Sequence, residues 1–402
     1  MGGSAFASGD DPLDTPRMPA AVYHRKKAQF HAVLGELFVC VASPLDGPAK
    51  TDFGDVDITV CLGRATGSGH VLDDIALALG ATRDIRHSDT RATLAVPWPC
   101  SDDDPSPASG AVRPRHVQVD VAVCRTLPQF HFGLFRHAHG DFWAIVGSMI
   151  RPAGLTLDDT ALCLRVAAME RENFKKSKIL LTAEPTEILH FLGLADGRHW
   201  EEPFPTVQDM FEYAATCPML AATELSAGDK RRTSTRPVYH QWVTEFLPQY
   251  RDRRRSVLPA GGAEGLAAQV RQQAFARFPG VRAAHDARLR EFLREKRTHE
   301  GKRLIKSAVP TAHADGRPVG ANLRGCALSA LRRIIFEHDG SYGLDVAAVA
   351  ATVTDADGLY DMERLAAFVR LHWQDVGRKH ANMQQDGLKG GKKRPAGHVA
   401  DA

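Results

Sequence analysis

Two short segments of this chain alternate strictly between polar and apolar residues. In residues 55–58, Asp55 and Asp57 share one face of a strand, while valine and isoleucine occupy the other face. In residues 116–123, every odd position from 117 onward is valine, and Asp120 lies on the opposite face. A strand with one wholly apolar face needs a covering layer, so the pattern predicts a sheet with a core beneath it and carboxylates above it.

The residues around these segments predict a small α+β layer. Apolar periodicity predicts two helices and apolar runs predict two further strands, in the order helix 21–37, strand 38–42, helix 71–79 and strand 91–96. Mixed strand and helix order of this kind is typical of a mixed sheet covered by helices. We assign this layer to residues 21–135.

The rest of the chain is predicted to be mainly helical. Helices are expected at 142–150, with Asp141 as the cap, around 168–181, and at 187–192, ending at Gly193. The predicted organisation is a disordered leader (1–20), the α+β domain (21–135), a helical domain (136–310), a small helical unit (311–375) and a basic disordered tail (376–402).

Composition limits the function classes. A chain of 402 residues predicts two or three domains. Its net charge of +3 excludes a uniformly basic nucleic-acid coat, yet residues 251–310 carry +9 and the remainder −6. No apolar run reaches the roughly 18 residues of a membrane span, and the seven cysteines form no CxxC pair. We therefore expect an intracellular protein, cytoplasmic or nuclear, with no membrane partner.

The three carboxylates carry the functional signal. Asp55, Asp57 and Asp120 would repel one another on neighbouring strands unless a cation lay among them. Oxygen ligands suit Mg²⁺, which combines one or two carboxylates with substrate phosphates. Two such ions roughly 3.5–4 Å apart can clamp the attacking and leaving oxygens of a phosphoryl displacement. The alternative is an acidic edge strand that faces solvent and has no catalytic role.

A loop before the first acidic strand adds a phosphate-binding element. Ser43 lies twelve residues before Asp55, directly after the strand at 38–42, in a loop rich in Gly and Pro that runs to Lys50. Backbone N–H groups and a hydroxyl in such a loop can surround a phosphate.

At this point the sequence resembles the DNA polymerase beta-like nucleotidyltransferases. The resemblance rests on Ala42-Ser43, on residues 54–58 (Gly-Asp-Val-Asp-Ile) and on residues 119–121 (Val-Asp-Val), in that order and spacing, and it covers about residues 25–125. Alanine at position 42 departs from the glycine that the family usually has before the serine. That substitution could narrow or distort the loop that binds the triphosphate.

The resemblance implies a fold and a set of roles. The fold is a small nucleotidyltransferase-type mixed sheet with helices, followed by a mainly helical C-terminal half. Asp55 and Asp57 would hold two metal ions, Mg²⁺ or Mn²⁺, and Asp120 would complete the site that activates the acceptor hydroxyl. Ser43 and its loop would bind the β- and γ-phosphates.

Lysines are expected to reach the triphosphate of the nucleotide. Lys50 in the loop is one candidate, and Lys176 and Lys178 on the predicted helix 168–181 are others. The alternative for Lys176 and Lys178 is a solvated helix face.

The basic segment 251–310 has two interpretations. It is either a charged helix with pairs of opposite sign four residues apart, or a strip that neutralises the phosphates of RNA or DNA, with Arg253, Arg254 and Arg255 as its densest part. The sequence therefore predicts a metal-dependent nucleotidyltransferase that moves an NMP from an NTP to an acceptor hydroxyl, most plausibly an RNA or other nucleic-acid 3′ end. The alternatives are an inactive module of the same fold that binds nucleotide or RNA, and a transferase acting on a protein or small molecule.

Overall fold

A five-stranded mixed sheet organises the N-terminal part of the chain. A computed structural model describes residues 3–64, 70–98, 114–194, 201–222, 227–253, 260–313 and 315–390. Contacts divide the chain into two units, Met1–Arg282 and Ala283–Ala402. The boundaries proposed from sequence at residues 135, 310 and 375 remain predictions.

The described strands all lie in the first unit and form three sheets. In chain order they are β1 (Met18–Pro19), β2 (Phe38–Ala42), β3 (Asp52–Phe53), β4 (Asp55–Gly63), β5 (Arg83–Ser88), β6 (Arg91–Pro97), β7 (His116–Cys124), β8 (Leu155–Leu157), β9 (Leu162–Arg165) and β10 (Lys178–Thr182). The main sheet has the order β2-β4-β7-β6-β5, in which only the β4–β7 pair is parallel. The strands predicted from apolar runs at 38–42 and 91–96, and from alternation at 55–58 and 116–123, are confirmed.

The helices of the first unit cover the sheet and continue beyond it. They are α1 (Ala20–Leu37), α2 (Val71–Leu79), α3 (Leu127–His137), α4 (Phe142–Ile150), α5 (Phe174–Ser177), α6 (Pro185–Phe191), α7 (Val207–Ala214), α8 (Ala227–Thr235), α9 (Pro237–Gln241), α10 (Leu247–Arg253) and α11 (Gly262–Arg277). A π-helical turn, Trp242–Phe246, joins α9 to α10. The mixed sheet and the helical C-terminal half confirm the α+β architecture.

One face of the main sheet is apolar and lies on α1 and α2. Val56 and Ile58 of β4 and the odd-numbered valines of β7 up to Val121 are buried with Leu34 of α1 and Ile75 of α2. Each such side chain contributes roughly 1.5–3 kcal/mol when it leaves water. Because side chains alternate along a strand, this buried face directs Asp55, Asp57 and Asp120 to the other side.

The predicted helix at 168–181 is wrong. The chain there forms a 3₁₀ turn at Ala167–Met169, the single turn α5 capped by Asn173, and then β10. β10 pairs with β9, and β9 with β8, in a three-stranded antiparallel sheet. Ile179 and Leu181 are buried by this pairing, so long-range packing overrides the helix propensity of the segment.

The leader is ordered from residue 3 onward, in contrast to the prediction of disorder for residues 1–20. Phe6 is buried, and Met18 is completely buried in the core of the main sheet. β1 pairs with β3, and the backbone N–H groups of Gly3 and Ala5 donate to Gln118 on β7. Two apolar side chains and these hydrogen bonds therefore hold in place a segment whose composition had predicted disorder.

The second unit is a helical cluster. It contains most of α12 (Val281–Ala308), together with α13 (Ala321–Phe336), α14 (Val346–Val353) and α15 (Met362–Gly390). Leu331 and Ile334 of α13 pack with Leu365 and Val369 of α15 in its core. α15 continues well past residue 376, where a disordered tail was predicted, because Val376 and His380 are also buried. Among the described residues, no helix is long and apolar enough to cross a membrane.

Candidate functional site

The parallel pairing of β4 and β7 brings the three predicted carboxylates together. Asp57 is the direct register partner of Asp120, and Asp55 is the partner of Gln118. Register partners in a parallel pair lie on the same face, and residues two apart on one strand share that face. Asp55, Asp57 and Asp120 therefore form one acidic patch on the sheet face opposite the core.

Polar neighbours hold Asp120. The Gln118 amide Nε2 donates to both of its carboxylate oxygens, at 3.2 Å and 3.3 Å. Thr93 is its register partner on β6 and donates a side-chain hydrogen bond to it. The Thr93 hydroxyl also lies 2.9 Å from Nε2 of His87 on β5. A polar chain thus runs across three strands to Asp120.

The acidic patch shifts the pKa of two of its members upward. Partial desolvation and then the charges of Asp55 and Asp120 raise the pKa of Asp57 to about 7, although its side chain reaches solvent. Burial also raises the pKa of Asp120, while the hydrogen bonds from Thr93 and Gln118 oppose that rise. Such crowding of like charges is relieved when a cation binds among them.

The carboxylates of this patch suit a hard divalent cation whose coordination shell is completed by oxygens from water and a bound substrate. Within the described part of the chain, no group of three or more His, Cys, Asp or Glu side chains is arranged as a ready-made metal site. Mg²⁺ commonly takes one or two carboxylates and draws its other oxygens from water and substrate phosphates. The paired Asp57 and Asp120, with Asp55 on the same face, fit that mode better than a closed cage.

The loop after β2 is held next to this patch. Its Ser43 hydroxyl lies 2.8 Å from Nε2 of His31 on α1. Asp46 of the loop accepts hydrogen bonds from the Tyr23 hydroxyl, at 3.0 Å to one oxygen, and lies 3.4 Å from the Lys27 ammonium. Lys50 lies 3.5 Å from Asp46, and its charge acts to lower the pKa of Asp57. The loop therefore places the positive charge of Lys50 near Asp57, while the Ser43 hydroxyl contacts His31. Phosphate binding by Ser43 and Lys50 stays a prediction.

A cleft of about 640 Å³ opens over the patch. Asp57, Asp120, His87 and Thr93 line it together with the apolar side chains of Phe132 and other residues of α3 and β7. This volume lies within the roughly 300–1,000 Å³ of small-molecule sites. A cleft that combines acids with apolar walls can hold a nucleoside next to a phosphate-binding edge.

Lys176 and Lys178 lie elsewhere in the described structure. Lys178 opens β10 and forms an ion pair with Asp158, which raises the pKa of the lysine and lowers that of the aspartate to about 2. Lys176 is exposed on the short helix α5. Neither residue lines the cleft, and their contact with the nucleotide stays a prediction.

The basic segment is only partly described. Arg253 ends α10, whereas Arg254 and Arg255 lie outside the described residues. On α12, Arg297 and Glu300 form a pair at 3.4 Å, three rather than four residues apart, which still suits a charged helix. Nucleic-acid binding by arginines 253–255 stays a prediction.

Sequence reasoning missed His31, His87, Thr93 and Gln118. Gln118 was visible as a polar residue on the acidic face of β7, two positions before Asp120. Thr93 becomes a neighbour of Asp120 only through the β6–β7 register, and His87 only through β5, which was not predicted.

No protein-family model matches this chain, and no curated protein matches it in sequence.

Proposed function

We propose that this protein is a metal-dependent nucleotidyltransferase. The observation that carries the proposal is the parallel register of Asp57 and Asp120, with Asp55 on the same sheet face. Asp57 and Asp120 line a cleft to which the Ser43 loop contributes Pro44. In the proposed reaction an acceptor hydroxyl oxygen bonds to the α-phosphorus of an NTP. The bond from that phosphorus to the oxygen bridging it to the β-phosphate breaks, pyrophosphate leaves with that oxygen, and the hydroxyl proton passes to solvent.

The residues of the cleft have distinct tasks in this proposal. Asp55, Asp57 and Asp120 would hold Mg²⁺ or Mn²⁺, which when bound neutralises phosphate charge during transfer. The Ser43 hydroxyl, oriented by His31, would donate to the triphosphate. Lys50 would add positive charge on the same side. The apolar wall around Phe132 would receive the nucleoside.

The acceptor is proposed to be a nucleic-acid 3′ end, most plausibly of RNA. The net charge of +9 over residues 251–310 supports this choice, because basic strips bind phosphate backbones through counterion release. A location inside the cell, in the cytoplasm or nucleus, accords with such an acceptor.

The test is label transfer by the purified protein. It is incubated with Mg²⁺ or Mn²⁺ and each α-labelled NTP, with and without RNA, and both labelled product and pyrophosphate are measured. The expected result is transfer that Asp57→Asn and Asp120→Asn each abolish, while Asp89→Asn, an exposed loop variant, keeps full activity. If no product forms with any NTP and any acceptor, the proposal that this protein is a nucleotidyltransferase is rejected.

A second candidate function is a non-catalytic module that binds nucleotide or RNA. The observation that favours it is the Gln118 amide, which occupies both oxygens of Asp120, together with Ala42 in place of the family's usual glycine. Equilibrium binding of NTP without any transfer, unchanged in Asp57→Asn, would support this candidate over the enzyme.

A further inference from the structure

Four arginines surround a second cavity of about 340 Å³ in the first unit. Arg136 lies in the last turn of α3, Arg151 directly follows α4, Arg232 is on α8, and Arg236 links α8 to α9. The residues lining this cavity, all of them described, include no Asp or Glu. The charged lining is therefore entirely cationic.

Two carboxylates behind the lining balance only part of this charge. Asp229 is completely buried and lies 2.7 Å from both Arg151 and Arg232. Asp141 lies 2.7 Å from Arg236. These two acids serve three of the four guanidinium groups, so the cluster retains an excess of positive charge.

Arg136 carries the fourth guanidinium group, the one that neither Asp229 nor Asp141 pairs with. Its Nε is buried and has no hydrogen-bond partner among the described residues. Burial lowers the pKa of Arg136, and the nearby charges of Arg232 and Arg236 lower it further.

The acids that attract Arg136 from a distance have cations of their own. Asp158 is paired with Lys178, and Asp159 lies 3.5 Å from Arg91. A partly buried guanidinium without a dedicated counter-ion is unfavourable unless a ligand supplies the negative charge.

We infer that this cavity is a binding site for a phosphate group. Phosphate oxygens match the planar fork of arginine, and several arginines converging on one point are typical of sites that bind phosphate. Arg151, Arg232 and Arg236 lie at the rim of the cavity, and their side chains are between a third and a half exposed. An anion can therefore enter from solvent.

The phosphate site adjoins the acidic cleft. His137 lines both cavities. Gly140 also lines the arginine cavity, and the Ser43 loop reaches the same connection, where the backbone N–H of His139 donates to the Leu45 carbonyl at 2.8 Å. The phosphate therefore belongs either to the triphosphate of the donor nucleotide or to a phosphorylated acceptor. That assignment to a substrate rests on the proposed function, whereas the anion site itself does not.

The experiment measures anion binding directly. Thermal unfolding and calorimetric titration are run on the full chain with inorganic phosphate, pyrophosphate and tripolyphosphate, against sodium chloride at equal ionic strength and without divalent metal. We expect stabilisation by the phosphates, and an affinity for pyrophosphate at least tenfold weaker in Arg136→Gln. Arg171→Gln, at an exposed arginine outside the cavity, is the matched control and should bind as the original protein does.

The stability of the free protein separates a binding role from a structural role. Removing an unpaired buried charge should leave the unfolding temperature of ligand-free Arg136→Gln unchanged or higher. A lower unfolding temperature together with unchanged pyrophosphate affinity would overturn the inference. Equal stabilisation by phosphates and chloride in the original protein would overturn it as well.

Two further ligands distinguish the source of the phosphate. If Arg136→Gln weakens NTP binding, the site holds the donor triphosphate. If it leaves NTP binding unchanged and weakens binding of an oligoribonucleotide, the site holds a backbone phosphate of the acceptor. If the protein shows no transferase activity but Arg136→Gln still weakens pyrophosphate binding, the proposed function is rejected and the phosphate site is retained.

Discussion

Gln118 donates its amide Nε2 to both carboxylate oxygens of Asp120, at 3.2 Å and 3.3 Å. The orientation of that amide is fixed from the other side, because its Oε1 accepts the backbone N–H groups of Gly3 and Ala5, each at 3.1 Å. The N-terminal segment thus contacts the buried side chain that holds the third carboxylate. Gln118 is one of several residues that fix this segment, together with the bridge between Asp14 and Arg115 and the bond from the Thr15 hydroxyl to the Gly3 carbonyl.

Replacing Gln118 by leucine tests this connection. The variant leaves two backbone N–H groups and the carboxylate of Asp120 without their partner, so we expect a loss of about 1–3 kcal/mol in unfolding free energy. Urea unfolding measures the loss, and hydrogen exchange should show faster exchange at Gly3 and Ala5. Gln129→Leu, whose exposed side chain accepts only the Arg125 N–H, should change stability by about 0.5 kcal/mol or less. Equal effects of the two variants would contradict this role.

The raised pKa of Asp57 makes stability without metal depend on pH. The folded-state pKa of about 7 lies above the ordinary carboxyl pKa of 3.8, so the folded state binds the proton more tightly than the unfolded state. Its contribution is fully present below about pH 4 and is lost as the pH rises through 7. Because the side chain reaches solvent, screening limits the effect to about 1 kcal/mol.

Unfolding temperatures in chelator between pH 5 and 8 provide the measurement. Relative to Asp57→Asn, the original protein should lose on the order of 2–4 °C over this range. Added Mg²⁺ should restore the loss in the original protein and have no such effect in Asp57→Asn. Asp89→Asn should have the same unfolding temperature as the original protein at every pH. If the unfolding temperature of Asp57→Asn falls with pH as steeply as that of the original protein, the pH dependence belongs to other groups.

The acidic patch could be predicted because its information is local. Period-two alternation fixes the faces of β4 and β7, and the valines of β7 leave Asp120 only the polar face. The partners of the patch depend on register between distant segments. Thr93 meets Asp120 only because β6 pairs antiparallel with β7, and no periodicity in either strand specifies that neighbour.

The errors in the predicted fold have the same origin. The segment 168–181 has residues compatible with a helix, yet Ile179 and Leu181 find a buried surface only as part of β10. Likewise, the leader has few apolar residues, and its order follows from Phe6 and from hydrogen bonds to a residue more than 110 positions away. Composition describes the average tendency of a segment, whereas these contacts depend on one or two specific side chains.

Among the acidic residues outside the cleft, Asp229 is the one whose substitution we expect to lower the unfolding free energy most. It is completely buried between Arg151 and Arg232, so Asp229→Ala leaves two guanidinium groups without their counter-ion. We expect the variant to lose about 3–5 kcal/mol of unfolding free energy in denaturant titration. Asp52→Asn, which disturbs the exposed pair with Arg17, should lose at most about 1 kcal/mol. A loss from Asp229→Ala no larger than that control would mean that the buried pairs do not stabilise the fold.

Thr93 is expected to set the pKa of Asp120 from the neighbouring strand. Its buried hydroxyl donates to Asp120 and thereby lowers the pKa of that carboxyl, against the rise caused by burial. Thr93→Val keeps the shape of the side chain and removes the donor, so the pKa of Asp120 should rise further in the metal-free protein. Carboxyl chemical shifts followed by NMR across the pH range measure that value.

Activity and a matched variant give the second readout for Thr93. If the cleft transfers nucleotides, Thr93→Val should displace the acidic limb of the pH–rate profile to higher pH, because Asp120 then ionises at higher pH. Thr82→Val removes a hydroxyl that donates to the Ala95 carbonyl at 3.3 Å in the same sheet, and it should leave the pKa of Asp120 unchanged. The same pKa for Asp120 in both variants would show that the Thr93 hydroxyl does not stabilise the charged form of Asp120.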